Sequence, residues 1–269
     1  MIDPYKNRRN YWPAYTWPIQ TSYLAVMAKN EKNILDRLGN IDKEELISHA
    51  SDLFNKVNAT FYHLQQLKLA EKNAIDLGLK LSKTAPIEFK NSIGVVGSPY
   101  EPISYEYESL LINAKSSLDI LTITISECLK RKEDNIISLS SNLIQTKRLS
   151  ILESKIKDVL IKHNDFIKTF GRDVSKRNYA VHKGVLPVGT INVPINNPNG
   201  EIIKSKAYNH NENIKNQLGS VLKVENLEDY VENVFYSMAD IVVDCLEILL
   251  DTKFEKGQRK SVADLRTET

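Results

Sequence analysis

Apolar residues recur along this chain mostly at intervals of three and four, the spacing that lines one face of an α-helix. The first long run is Leu46, Leu53, Val57, Phe61, Leu64, Leu67 and Leu69, which predicts a helix that opens after Asp42 and reaches about Ser82. Asp42 with Glu45 three residues later has the form of a capping box. A shorter helix is expected before it, from about Thr21 to Leu38, closed by Gly39. A second long stripe carries Tyr107, Leu111, Ala114, Leu118, Leu121, Ile125 and Cys128, with Glu106 and Glu108 early in the helix. The polar stretch Arg131–Asn135 interrupts it, and Ile136 to Leu143 predicts a short helix. From about Arg148 a further stripe continues through Leu152, Ile156, Val159, His163, Phe166, Phe170 and Val174. The last helix is expected at about Leu227 to Leu250. Its stripe of Leu227, Val231, Val234, Met238, Ile241 or Val242, Cys245 and Leu249 is widened by Phe235, Leu246 and Leu250. A stripe that wide needs neighbours on more than one side, which suggests a bundle core that also forms a dimer face.

Glycine and proline concentrate in two windows. Residues 84–104 hold Pro86, Gly94, Gly97, Pro99 and Pro102, with Val95-Val96 as a short extended piece. Residues 184–220 hold Thr190 to Val193, the turn-rich Asn196–Gly200 and Ile202-Ile203, which predict a β-hairpin. The expected fold is therefore mainly α, a helical bundle with a small hairpin insert and an N-terminal helical extension. The divisions read as an aromatic arm and helical extension over 1–95, a bundle over 96–252 and a charged tail over 253–269.

Composition narrows the class. The chain has 269 residues, 42% hydrophobic and 26% charged, as in soluble globular proteins. A formal net charge of +2 means that a nucleic-acid partner needs a local basic patch. Cys128 and Cys245 sit inside apolar helical stripes, with no CxxC or Cys/His cluster, so they read as reduced core residues. No metal ligands and no cofactor are expected. No apolar run has the length of a membrane span and no signal peptide opens the chain, which reads as cytoplasmic. His49 and His63 have no ligand-like partner three or four residues on and read as ordinary helix residues; His210, in a polar loop, receives no role.

The candidate chemistry lies in Lys176-Arg177-Asn178-Tyr179-Ala180-Val181-His182-Lys183-Gly184, where a helical pattern stops at Gly184 and Pro187 prevents its continuation. A guanidinium holds phosphate oxygens with a planar fork, and an imidazole exchanges a proton near neutral pH. Those two groups suffice for RNA cleavage by the neighbouring 2′-hydroxyl, which requires no metal. Lys168, Arg172 and Lys176, four apart, form a basic row leading to the motif, with Lys183 beyond it. The row is equally a solvated face or a set of phosphate contacts. Arg177 as a cap on helix-end carbonyls and His182 as a buried polar residue is the alternative. The aromatic residues of 1–18, among them Tyr11, Trp12, Tyr15 and Trp17, either pack on the helical body or stack on bases.

The arrangement over about 100–252, with a long helix, a second ending in Arg177-Asn178-x-x-x-His182, a loop excursion and a closing apolar helix, resembles the HEPN superfamily. The resemblance implies a small dimerising α-helical bundle. It also implies a metal-independent endoribonuclease of toxin–antitoxin, phage-defence or RNA-processing systems, with RNA as substrate and an antitoxin or defence protein as possible partner. Arg177 and His182 would be catalytic, with Asn178 the polar residue that commonly follows the arginine. Gly184 stands where some toxin members carry a tyrosine. The alternative within the same family is a catalytically silent module that binds RNA or a partner protein; the bland alternative is a structural bundle.

Overall fold

The 42-residue run with its apolar positions three and four apart forms one helix, α1 (Lys43–Thr84), about 63 Å long at 1.5 Å per residue. The computed structural model describes residues 43–84, 92–95, 102–168, 170, 191–194, 206–208 and 224–251. The other described elements, in chain order, are β1 (Ser92–Val95), α2 (Pro102–Cys128), α3 (Ile136–Gln145), α4 (Ile151–Lys162), β2 (Ile191–Pro194), β3 (Lys206–Tyr208), β4 (Val224–Asn226) and α5 (Leu227–Leu250). The described part is mainly α. The expected helices at 21–38 and beyond residue 170, the arm at 1–18 and the tail after 251 lie outside it.

Local chemistry sets several of the boundaries. Pro102 opens α2 in the first turn, where a missing N–H costs nothing and the fixed φ is already helical. The far end of α2 closes in a Schellman motif: the Arg131 amide donates to the Ser126 carbonyl (2.7 Å) and the Lys130 amide to the Glu127 carbonyl (3.2 Å). That closure places Lys130 at φ 56, the left-handed region glycine occupies without penalty. Asn135 caps α3 by accepting from the Ser138 amide. Ser150 caps α4 in a full capping box with Glu153. The helix expected to run on from Arg148 therefore starts at Ile151, and it breaks at His163 before a further helical turn at 164–168.

The strand at 191–194 pairs antiparallel with β1, in the register Ser92–Pro194 through Val95–Ile191. Residues 202–203, the other half of the expected hairpin, lie outside the described residues. β3 and β4 form a second antiparallel pair, Lys206 opposite Asn226 and Tyr208 opposite Val224.

The chain divides into two compact units, each assembled from separated stretches: 1–59, 114–167 and 237–269 in the first, and 60–113 with 168–236 in the second. Residues on either side of the punctuation at 84–104 thus share units, and that punctuation does not divide the packing. In the first unit Leu46, Leu53 and Val57 of α1, Leu118, Leu121 and Ile125 of α2, Leu139 and Leu143 of α3 and Ile156 and Leu160 of α4 are all buried. In the second, Phe61 of α1 meets Phe235 of α5 with ring centroids 5.3 Å apart, and Tyr107 of α2 meets Tyr230 edge-on at 6.2 Å. There α1 and α5 run antiparallel, since Phe61 meets Phe235 while Lys68 meets Glu232 and Glu228.

The wide stripe on α5 is satisfied within one chain. Phe235, Ile241, Val242, Val243, Leu246 and Leu250 are all buried, so both its principal face and its widening are covered. The apolar side of α5, from which a dimer face was expected, is buried within the chain itself. Cys128 and Cys245 are buried and form no disulfide; burial, with the Asp244 charge beside it, pushes the Cys245 thiol far up.

Left-handed geometry at Lys130 carries a Cβ penalty of about 1 kcal/mol, partly offset by the greater unfolded-state freedom of glycine. Lys130→Gly is therefore expected to stabilise the chain by up to about 1 kcal/mol, and Lys130→Val to destabilise it. Urea unfolding midpoints of the two variants against the wild type check this.

Candidate functional site

Most of the sequence-selected residues, Arg172, Lys176, Arg177, Asn178, His182 and Lys183, lie outside the described residues. Lys168, which opens the basic row, is described: it closes the helical turn at 164–168 and is exposed. It stands six residues beyond the end of α4 on the stretch that leads toward the motif.

Polar groups brought together from distant parts of the sequence are the other candidates. Each of the three described histidines faces a carboxylate on another helix. His63 of α1 bonds Glu106 of α2 through Nδ1 at 2.6 Å, with both side chains about a quarter exposed. His163 and Lys162, where α4 ends, share Asp244 of α5, with Nε2 at 3.3 Å and Nζ at 2.6 Å from Oδ2. His49 of α1 brings Nδ1 to 3.1 Å from Oε2 of Glu127 in the last turn of α2. None of these pairings is visible in sequence spacing, because the partners are tens of residues apart.

The His49 pair differs from the other two. Glu45, one turn earlier on α1, adds a second carboxylate, and the donor atoms of Glu45, His49 and Glu127 lie within 4.8 Å of one another. Burial pushes the Glu127 carboxyl up, the His49 imidazole pulls it back, and the Glu45 charge raises it again. Reading His49 as an ordinary helix residue overlooked Glu45. The signal was the i−4 spacing, which puts both side chains on one face of α1.

Two further clusters are tied up structurally. Lys68 of α1 is buried against α5, bonded to Glu232 and 3.6 Å from Glu228, so its charge is compensated inside the second unit. Arg131, in the loop after α2, forks onto Glu133 through Nε (3.1 Å to Oε1) and Nη2 (2.9 Å), and reaches Glu153 of α4 through Nη1 at 3.0 Å. Asn142 of α3 donates to the same Glu133 at 2.9 Å. One guanidinium thus ties the α2–α3 loop to α3 and to the cap of α4. Burial by itself would raise the Glu133 carboxyl. The hydrogen bonds from Arg131, Asn142 and a backbone amide, with the Arg131 charge, outweigh it and take the carboxyl from its ordinary 4.5 down to about 2. Glu153 shifts downward for similar reasons: burial opposes, and the Ser150 and Arg131 bonds prevail.

A carboxyl lowered by folding contributes stability that is complete above its unfolded value and is lost as pH falls through the folded one. The Glu133 contribution therefore disappears between about pH 4.5 and about pH 2. Arg131→Met is expected to cost on the order of 2 kcal/mol at neutral pH, as loss of charge-assisted hydrogen bonds does. It should also flatten the fall in stability across that acid window, as measured by urea unfolding at stepped pH. No protein-family model matches the chain, and no curated protein or solved structure matches it either, so a reading of its function rests on its own residues.

Proposed function

We propose that the protein is a metal-independent endoribonuclease of the HEPN type, acting in a toxin–antitoxin or phage-defence setting. The observation that carries the proposal is Arg177-Asn178-x-x-x-His182 at the close of a helical pattern. Support comes from the chain order around it: long α2, then α4 with its further helical turn before the motif, and the apolar α5 after it. Exposed Lys168 supports it too, as a cation open to solvent at the start of the basic row.

The chemistry follows from the residue types. His182 takes the proton of the 2′-hydroxyl or gives one to the departing 5′-oxygen. Arg177 holds the scissile phosphate and stabilises the negative charge that builds on it. The 2′-oxygen–phosphorus bond forms as the phosphorus–5′-oxygen bond breaks, leaving a 2′,3′-cyclic phosphate and a 5′-hydroxyl. A homodimer whose two motifs line one cleft divides the acid and base roles between copies. Its interface draws on surfaces other than the apolar side of α5, which is buried within the chain.

His182→Ala and Arg177→Ala should each lower cleavage of single-stranded RNA by about 10²–10⁴ while leaving the helical circular dichroism unchanged. Cleavage should persist in EDTA, and a 2′-deoxyribose at the cut position should block it. Lys168→Ala should instead weaken RNA binding and reduce its log–log salt slope by about 1. Cleavage of the 2′-deoxy substrate would overturn the mechanism. RNA binding with no cleavage by the wild type would identify a silent binding module.

A further inference from the structure

Two histidine–glutamate pairs join α1 to α2, and they behave differently. His63 and Glu106 make an ordinary hydrogen bond at 2.6 Å. His49 Nδ1 and Glu127 Oε2 come to 3.1 Å, are both shielded from solvent, and have no hydrogen-bond partner among the described residues. They meet as an ion-pair contact without hydrogen-bond geometry, so two shielded polar atoms have exchanged water for a weaker partner. Lone pairs of an imidazole nitrogen and a carboxylate oxygen at that separation are what two adjacent ligands of one cation present. With metal–ligand distances of about 2.0–2.2 Å, neighbouring ligands lie roughly 3.0–3.5 Å apart. The third donor belongs to Glu45, on the same face of α1 and within 4.8 Å of the other two. Glu45 is exposed, and rotation about its side-chain bonds carries its carboxylate toward the same centre.

We propose that Glu45, His49 and Glu127 form a binding site for a divalent transition-metal ion, of which Zn²⁺ is the best-matched member. The donor set decides the class. One imidazole nitrogen and two carboxylate oxygens suit Zn²⁺ and its neighbours, whereas Ca²⁺ and Mg²⁺ take shells made of oxygen. Imidazole coordinates a metal without its second ring proton, so the ligand set of two carboxylates and one imidazole carries a charge of −2, which a dication neutralises. The repulsion of Glu45 that raises the Glu127 carboxyl is relieved at the same time. Three protein ligands leave a position for water. The ion would clip the start of α1 to the end of α2 inside the first unit. The site shares no residue with the proposed RNA-cleaving motif and does not depend on it.

The test uses the full chain, stripped with EDTA, dialysed and titrated calorimetrically with Zn²⁺ alone. Expected is one saturable site per chain, together with a rise in Tm on adding Zn²⁺, because the ion binds only the folded form. His49→Ala and Glu127→Gln should each weaken binding at least about tenfold, the loss typical even of residues that merely support a metal ligand. Glu45→Gln should also weaken it. That position is exposed, so this variant remains decisive if either of the others fails to fold. His63→Ala, the hydrogen-bonded pair without a third carboxylate, should bind Zn²⁺ as the wild type does. Absence of saturable binding by the wild type, or unchanged affinity in folded Glu45→Gln, would overturn the proposal. Persistence of RNA cleavage in EDTA bears only on the separate catalytic reading.

Discussion

The burial of α5 is the constraint on which the rest of the structure depends. Its 24 residues carry more apolar positions than one helical face can hold, so it must be surrounded. In the second unit Phe235 and Tyr230 are met by Phe61 of α1 and Tyr107 of α2. In the first unit Asp244 draws Lys162 and His163 from the end of α4. A helix buried this completely leaves its neighbours little freedom, because each unfilled methylene space in a close-packed core is destabilising. It also explains why the same stripe, legible as unusually wide in the sequence, need not await a second copy of the chain.

Charges inside this framework follow a consistent rule. Lys68, nearly removed from solvent, lies between Glu228 and Glu232. Lys115 is bonded to Asp119 one turn along α2. Arg131 holds two glutamates and through them three local structures. Removing charge from water is costly unless a partner replaces the water, and these groups have one. Against that background His49 and Glu127 stand out, since their facing atoms are shielded and lie within ion-pair distance, yet lack the geometry of a hydrogen bond. The departure from a rule obeyed nearby is what gives the Glu45–His49–Glu127 cluster its meaning.

The two candidate chemistries are encoded in opposite ways. Arg177-Asn178-x-x-x-His182 is a local pattern: five consecutive intervals of sequence carry the arginine, the polar residue and the histidine, and reading them requires no partner. The proposed cation cluster is assembled instead by packing. Glu45 and His49 are one helical turn apart and legible together, but Glu127 is 78 positions beyond His49 and joins them only when α1 and α2 pack.

Sequence alone determined the helices whose stripes are long and whose ends are punctuated. α5 lies at the expected Leu227–Leu250, α1 follows the apolar run from Leu46, and α2 ends where the polar stretch after Cys128 begins. Period and breakers are local properties of the chain, so local reading recovers them. Only the tertiary structure decided the break at His163, where a continuous apolar stripe suggested none and where Lys162 and His163 both engage Asp244. It also decided that β2 pairs with β1, a strand nearly a hundred residues earlier, and that residues on both sides of the punctuation at 84–104 share compact units. Histidine–carboxylate pairs belong to the same class. Pairing across such distances is selected by which buried surfaces and charges satisfy one another in three dimensions, and no interval along the chain encodes that choice.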